Sequence, residues 1–234
     1  MFTDTAEFYD LFYEEKDYAG EVRRLREIVE ARAPGARTLL DVACGTGMHL
    51  AELRAQYRVE GVDLDEGLLA VAAKRLPDVP MHAGDMRAFD LGRRFDVVTC
   101  LFSSIGYVRT TDGLRSAVAA MARHVAPGGL LIVEPWLTPS AFDPNYPSGV
   151  MVVERPDLVA VRMNDSRVDG RLSVMDFHYL VGRSGSPLEH LVETHSLGLF
   201  TDDEYRAALE GAGLKVEHDP EGLMGRGLWI AAAA

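Results

Sequence analysis

Residues 38–50 read TLLDVACGTGMHL, five strand-forming residues that run without a break into two glycines and then into a helix-forming segment. Gly45 and Gly47 lack a Cβ, so the backbone there can take left-handed conformations and approach a ligand closely. In a doubly wound α/β sheet such a turn lies at the carboxyl edge of the strands, where ligands bind. A lone G-x-G also makes a plain strand-to-helix turn, so its meaning depends on its neighbours. A dinucleotide site wants a third small residue at the sixth position of G-x-G-x-x-G for close helix–strand packing, and here that position is Leu50.

Downstream, apolar strands alternate with helices. The pattern predicts strands over Thr38–Val42, Val59–Val62, Pro80–Ala83, Phe95–Cys100 and Leu130–Val133, with helices from Met48, over Glu66–Arg75 and over Asp112–His124. That alternation implies a parallel sheet covered on both faces. Upstream, an aromatic-rich stretch (Phe8, Tyr9, Phe12, Tyr13, Tyr18) precedes an amphipathic helix from about Ala19 to Arg32, stopped by Pro34 and Gly35; residues 1–33 read as a helical lid. From about 148 to 200 the period changes to two, with turn signals at Asp169-Gly170 and in the Gly/Ser cluster at 182–186, so an antiparallel insertion is expected. Thr201 and Glu204 form a capping-box signature for a helix running toward Gly213, and a closing pair of strands follows. The whole is expected to be a single domain.

Composition narrows the partners. With 47% hydrophobic and 26% charged residues the 234-residue chain is an ordinary globular sequence. Its 24 Lys and Arg against 36 Asp and Glu give a net charge of -12, a field that repels phosphate backbones and anionic membranes, so neither nucleic acid nor membrane is an expected partner. An anionic ligand would have to be met by a few locally placed cations. Cys44 and Cys100 lie in apolar runs with no metal-ligand or disulfide spacing, so reduced thiols and no metal are expected. The start MFTDTAEFYD has neither the basic nor the apolar part of a signal peptide, and a cytoplasmic location is expected.

The chemistry is carried by acids at successive strand ends. Asp41 ends the first strand's apolar run; it suits an ammonium group and sits poorly beside a pyrophosphate. S-adenosylmethionine carries an ammonium and no phosphate. Asp63, ending the next strand in GVDLDEGLL, can accept from both ribose hydroxyls, whereas helix capping suits Asp65 better. Asp85 in HAGDMRAF follows the third strand and could accept from the adenine amine with Met86 against the ring; the bland alternative is a turn aspartate.

This ordered set, followed by APGGLLIVE, resembles the class I S-adenosylmethionine-dependent methyltransferases over most of residues 38–135. A closer resemblance spans nearly the whole chain: EFYDLFY, KDY, LLDVACGTGMHL, GDMRAF, LGRRFDVVTC, FSSIGY, EPW, FHYLV and GRGLW look like the N-methyltransferases of deoxyaminosugar pathways. It implies a class I fold with an added β layer over the cleft, two methyl transfers to the amine of a dTDP-linked amino-deoxyhexose, and often a homodimer. With it go the candidate sites. Tyr13, Ala43, Leu64 and Leu101 join Asp41, Gly45, Gly47, Asp63, Asp85 and Met86 as cofactor contacts. Tyr107, Glu134 and His178 are the candidate catalytic groups. Tyr18, Ser104, Trp136 and Arg226 are assigned to the acceptor, Arg226 as diphosphate ligand because its flanking glycines let the backbone approach. For Tyr107 the alternative is an aromatic wall, and for Trp136 and His178 a purely structural place is as good a reading. Rival functions are methylation of another small amine or hydroxyl, a silent cofactor-binding protein, and an NAD-dependent oxidoreductase, which Leu50 disfavours.

Overall fold

A computed structural model describes residues 6–145 and 149–233. The chain runs α1 (Ala6–Phe12), α2 (Tyr18–Arg32), β1 (Thr38–Val42), α3 (Met48–Leu53), β2 (Arg58–Asp63), α4 (Glu66–Arg75), β3 (Met81–Ala83), β4 (Phe95–Cys100), a 3-10 turn (Ser104–Val108), α5 (Thr111–Arg123) and β5 (Val125–Val133). Then come β6 (Met151–Arg155), β7 (Leu158–Asp169), β8 (Leu172–Arg183), β9 (Glu189–Gly198), α6 (Asp202–Gly211), β10 (Lys215–Asp219) and β11 (Leu228–Ala232). β5 begins five residues before the expected strand because Gly128 and Gly129 bend within it; a Cβ on Gly129 would stand 2.6 Å from the Asp96 carbonyl oxygen.

The main sheet has the order β10-β11-β5-β4-β1-β2-β3, in which β11 runs antiparallel to both its neighbours and the other strands share one direction. Chain direction across the sheet reverses between β1 and β4, so the crevice beyond their carboxyl ends is the topological switch point of a doubly wound fold. Alternate residues on the central strands feed opposite faces: Leu40, Val98 and Leu131 pack toward α5 and α6, while Leu39, Val97 and Ile132 pack toward α2 and α3. Thr201 and Glu204 do form the capping box of α6, and Asp65 caps α4 through Gly67 N–H and Leu68 N–H.

β6 to β9 form a separate antiparallel sheet whose inner face carries Ala160, Tyr179 and Val181 onto Phe8 and Phe12 of α1. β9 crosses the 3-10 turn, where Gly106 leaves room for Leu197; a Cβ there would sit 2.9 Å from its Cδ2. The insertion and α1 thereby roof the carboxyl edge of the main sheet. No helix among the described residues is long and apolar enough to cross a membrane.

Candidate active site

The turn after β1 is built on left-handed residues: Ala43 at φ 60, Gly45 at φ 55 and Gly47 at φ 78. A Cβ on Gly45 would meet nothing within 4 Å, so this stretch of backbone faces an open cleft. Gly47 does not line that cleft: it stands at the left-handed N-cap of α3, where a Cβ would press on Ala72 Cβ at 3.3 Å, and packing accounts for it. All four non-glycine residues with positive φ among the described residues (Ala43, Phe102, Ser103, Arg109) lie in loops at this edge. Such conformations each cost about 1–3 kcal/mol and persist only where the surroundings impose them.

Asp63 is 8% exposed and ties the turn to β2, accepting from Gly45 N–H at 2.7 Å through Oδ2 and from Asp65 N–H at 2.9 Å through Oδ1. Burial raises its pKa, and those two N–H groups oppose the rise. Each oxygen keeps a lone pair for a ligand hydroxyl. Asp85, half-buried at the end of β3, is held by the Arg87 guanidinium, which lowers its pKa. Ala43, Gly45, Asp63, Leu64, Asp85, Met86, Ser104 and Tyr107 line one continuous cleft, together with Tyr9, Arg87 and Arg109, which sequence reading did not pick.

A recess behind Gly45 holds Asp41, Leu101, Phe102 and Tyr18. Tyr18, assigned to the acceptor, is instead buried beside the candidate cofactor groups, its ring edge-on to His49 at 4.9 Å. Asp41 is 2% exposed and accepts from Thr99 Oγ1 at 2.8 Å; burial pushes its carboxyl up to about 6, against the opposing pull of His49 and Thr99. Tyr13 stands above this recess, its ring edge-on to Phe102 and its hydroxyl accepting from Arg162 at 3.2 Å, outside the cleft lining. Asp10 of α1 accepts from Thr46 Oγ1 at 2.6 Å and pairs with Arg75 of α4, so the N-terminal helix is fastened to the glycine turn.

On the β4–β5 side Glu134 is fully buried and accepts from Phe102 N–H at 2.6 Å through Oε2, while its Oε1 accepts no hydrogen bond among the described residues. Burial raises its pKa. Arg226 projects from a loop that passes close to itself, since a Cβ on Gly222 would meet the Gly227 carbonyl oxygen at 2.4 Å. Its guanidinium donates to Ser103 Oγ at 3.0 Å and lies 5.1 Å from the Trp136 ring centroid. The Trp136 indole N–H donates to Ser173 Oγ of β8 at 2.8 Å, so this tryptophan joins the two sheets and carries the guanidinium on its face.

His178 is a correction. It is exposed on the outer face of β8, stacked on His190 with centroids 5.3 Å apart, whereas Phe177 and Tyr179 point inward. Strand residues alternate between faces, and two large aromatics flanking a histidine put that histidine outside. The histidine that meets a cleft residue is His195 of β9, buried behind Tyr107 with its Nδ1 2.7 Å from the Tyr107 hydroxyl. The signal for it was the parity of Leu191 and Leu197, which share its face of β9.

The donor set suits S-adenosylmethionine. Three carboxylates stand at the ends of β1, β2 and β3 around an open glycine turn, matched to an ammonium, a ribose and an adenine amine, with none of the close-packed third glycine of a dinucleotide turn.

A family profile described as "Methyltransferase domain" matches residues 39–129. The chain is 43% identical to a dTDP-3-amino-3,4,6-trideoxy-alpha-D-glucopyranose N,N-dimethyltransferase of Streptomyces venezuelae, over 99% of this chain and 98% of the relative. It is 42% identical to a dTDP-4-amino-2,3,4,6-tetradeoxy-D-glucose N,N-dimethyltransferase of Saccharopolyspora spinosa, over 97% and 92%. Among solved structures it is similar to S-adenosylmethionine-bound CalS10, an amino pentose methyltransferase from Micromonospora echinaspora, with a TM-score of 0.86, 39% identity and coverage of 94% and 93%.

Proposed function

This chain belongs to the family of S-adenosylmethionine-dependent dTDP-aminosugar N,N-dimethyltransferases, and on that premise we propose that it transfers two methyl groups in turn to the amine of a dTDP-linked amino-deoxyhexose. The observation that carries the reading is the cleft that Asp63, Asp85 and Tyr107 share, with Asp41 in the recess behind Gly45; Arg226 is tied to Ser103, next in the chain to the cleft-lining Ser104. Relatives acting on 3-amino and on 4-amino sugars match at nearly equal identity, so the amine's ring position is a matter for the assay.

S-adenosylmethionine supplies an electrophilic methyl on a sulfonium. Asp41 would hold its ammonium, Asp63 its ribose, and Asp85 with Met86 its adenine. In-line displacement needs a neutral nitrogen lone pair aimed at the methyl from the side opposite sulfur, and positioning in a water-poor cleft can provide most of the acceleration. In this reading Tyr107 would contact the amine and Arg226 would take the diphosphate, a local cation in a chain of net charge -12. Glu134, the candidate catalytic acid, is fully buried and outside the cleft lining, where it ties the loop after β4 to the end of β5 through Phe102 N–H.

Asp41 makes cofactor affinity pH-dependent. Its carboxyl is pushed up to about 6, and only the carboxylate attracts an ammonium, so affinity is expected to fall as pH drops below about 6, approaching tenfold per pH unit. Calorimetric titration across that window checks this, and Asp41→Asn should flatten the profile at the weak end. The sign for stability is opposite: the folded carboxyl keeps its proton where the unfolded one has lost it, so the ligand-free protein loses this contribution as pH rises through about 6.

Two further parts of the reading are self-association and a cytoplasmic setting. The outer face of the inserted sheet exposes Val152, Met163, Leu180 and Val192 beside the His178–His190 stack, an apolar patch suited to a second copy. Light scattering on the purified protein tests the dimer. The function itself is tested by S-adenosylhomocysteine release with a panel of dTDP-3-amino, dTDP-4-amino and matching hydroxy sugars: release with an amino sugar alone supports it, and release only with an unrelated amine or hydroxyl compound rejects it.

A further inference from the structure

We propose that His195 is a positioning residue for N-methylation: by taking the Tyr107 hydroxyl hydrogen at Nδ1, it withholds that hydrogen from the acceptor and turns the phenolic lone pairs toward the amine. The proposal rests on the reading of this cleft as a sugar N-methyltransferase site.

The geometry joins the two sheets. Tyr107 rises from the 3-10 turn at the carboxyl edge of β4 and lines the cleft; His195 descends from the inner face of β9, and its Nδ1 lies 2.7 Å from the phenolic oxygen. His195 is 2% exposed, with its ring 4.8 Å from Phe177 and its Nε2 side toward Glu193. Burial pulls the imidazole down to about 4, with Arg162 adding to the pull, and burial pushes the Tyr107 phenol up. Both groups are therefore neutral at pH 7. Between a phenol and a neutral imidazole, the O–H is the better donor and the bare ring nitrogen the better acceptor.

The direction of that hydrogen bond matters for the chemistry. A tyrosine hydroxyl left to rotate could donate to the acceptor nitrogen and tie up the lone pair that must attack the methyl. With its hydrogen committed to His195, the oxygen can only accept, so it binds an amine N–H and leaves the lone pair exposed. The second transfer depends on this more than the first, because the monomethylated amine has a single N–H left to anchor. His195 does not act as the base: an imidazole held near 4 is too weak to keep a proton delivered by an alkylammonium, and that proton leaves to solvent.

The test combines kinetics with the tautomer. His195→Leu is expected to lower kcat about tenfold, the scale of one misdirected hydrogen bond, with the dissociation constant for S-adenosylmethionine unchanged and monomethylated product accumulating. Tyr107→Phe removes the hydroxyl and leaves His195 in place; the double variant should be no slower than His195→Leu alone, and His195→Asn, which restores an acceptor, should recover part of the rate. In the acceptor-free wild-type protein, nitrogen NMR should show His195 protonated at Nε2 and bare at Nδ1. A double variant slowed by the product of the two single effects, a wild-type kcat for His195→Leu, or a proton on Nδ1 overturns the proposal. Wild-type protein that methylates no dTDP-amino sugar overturns the parent reading, and the NMR result then judges the Tyr107–His195 bond separately.

Discussion

Asp63→Ala raises the dissociation constant for S-adenosylmethionine by at least about a hundredfold. A carboxylate accepting from two ribose hydroxyls makes two hydrogen bonds to a charged group, each contributing about 1.5–3 kcal/mol, and every 1.4 kcal/mol is about tenfold in affinity. The loss is compounded because Asp63 also accepts from Gly45 N–H and Asp65 N–H, so truncation loosens the glycine turn against which the cofactor would lie. Asp63→Asn should fall between, since the amide keeps one acceptor oxygen and sets a donor against either Gly45 N–H or a ribose hydroxyl. Calorimetry measures the affinity, and a thermal melt of the ligand-free variant separates turn loosening from unfolding. An unchanged dissociation constant would remove Asp63 from the ribose.

Arg226→Ala is the counterpart on the acceptor side, with the KM for the dTDP-amino sugar rising about a hundredfold and cofactor affinity staying within about twofold. A bidentate guanidinium–diphosphate contact consists of charge-assisted bonds roughly twice as strong as neutral ones, and no bulk positive field compensates in a chain of net charge -12. Arg226→Lys should recover little, because a point charge does not fork onto two oxygens and stacks less well over the Trp136 ring, which the guanidinium overlies at 5.1 Å. Initial rates with varied acceptor at saturating cofactor measure the effect. An unchanged KM would return Arg226 to a structural role bridging Trp136 and Ser103.

The main sheet was legible because its information is local. β1 and β4 are largely apolar runs, Asp65 and Thr201 announce the starts of α4 and α6, and Asp41, Asp63 and Asp85 are acids at or just past strand ends. Contacts that cross between layers were not legible. Nothing near Tyr107 in the chain points to His195, which lies 88 residues away and arrives only when the insertion folds over the 3-10 turn. Tyr18 misled for a similar reason: its place beside Asp41 depends on how α2 packs against α3. His178 differs, since parity within β8 sets it on the face opposite Phe177 and Tyr179. At Gly47 a left-handed helix cap leaves the same glycine in the sequence as a ligand contact would.

The measurement that bears most directly on the whole account is mass spectrometry of the products formed when the protein, excess S-adenosylmethionine and a dTDP-amino-deoxysugar are taken to completion. The account predicts transient product bearing one added methyl, then accumulation of product bearing two, both on the amine nitrogen. An amino sugar recovered unmethylated from a protein shown to bind the cofactor, or a methyl found on a sugar oxygen, would contradict it.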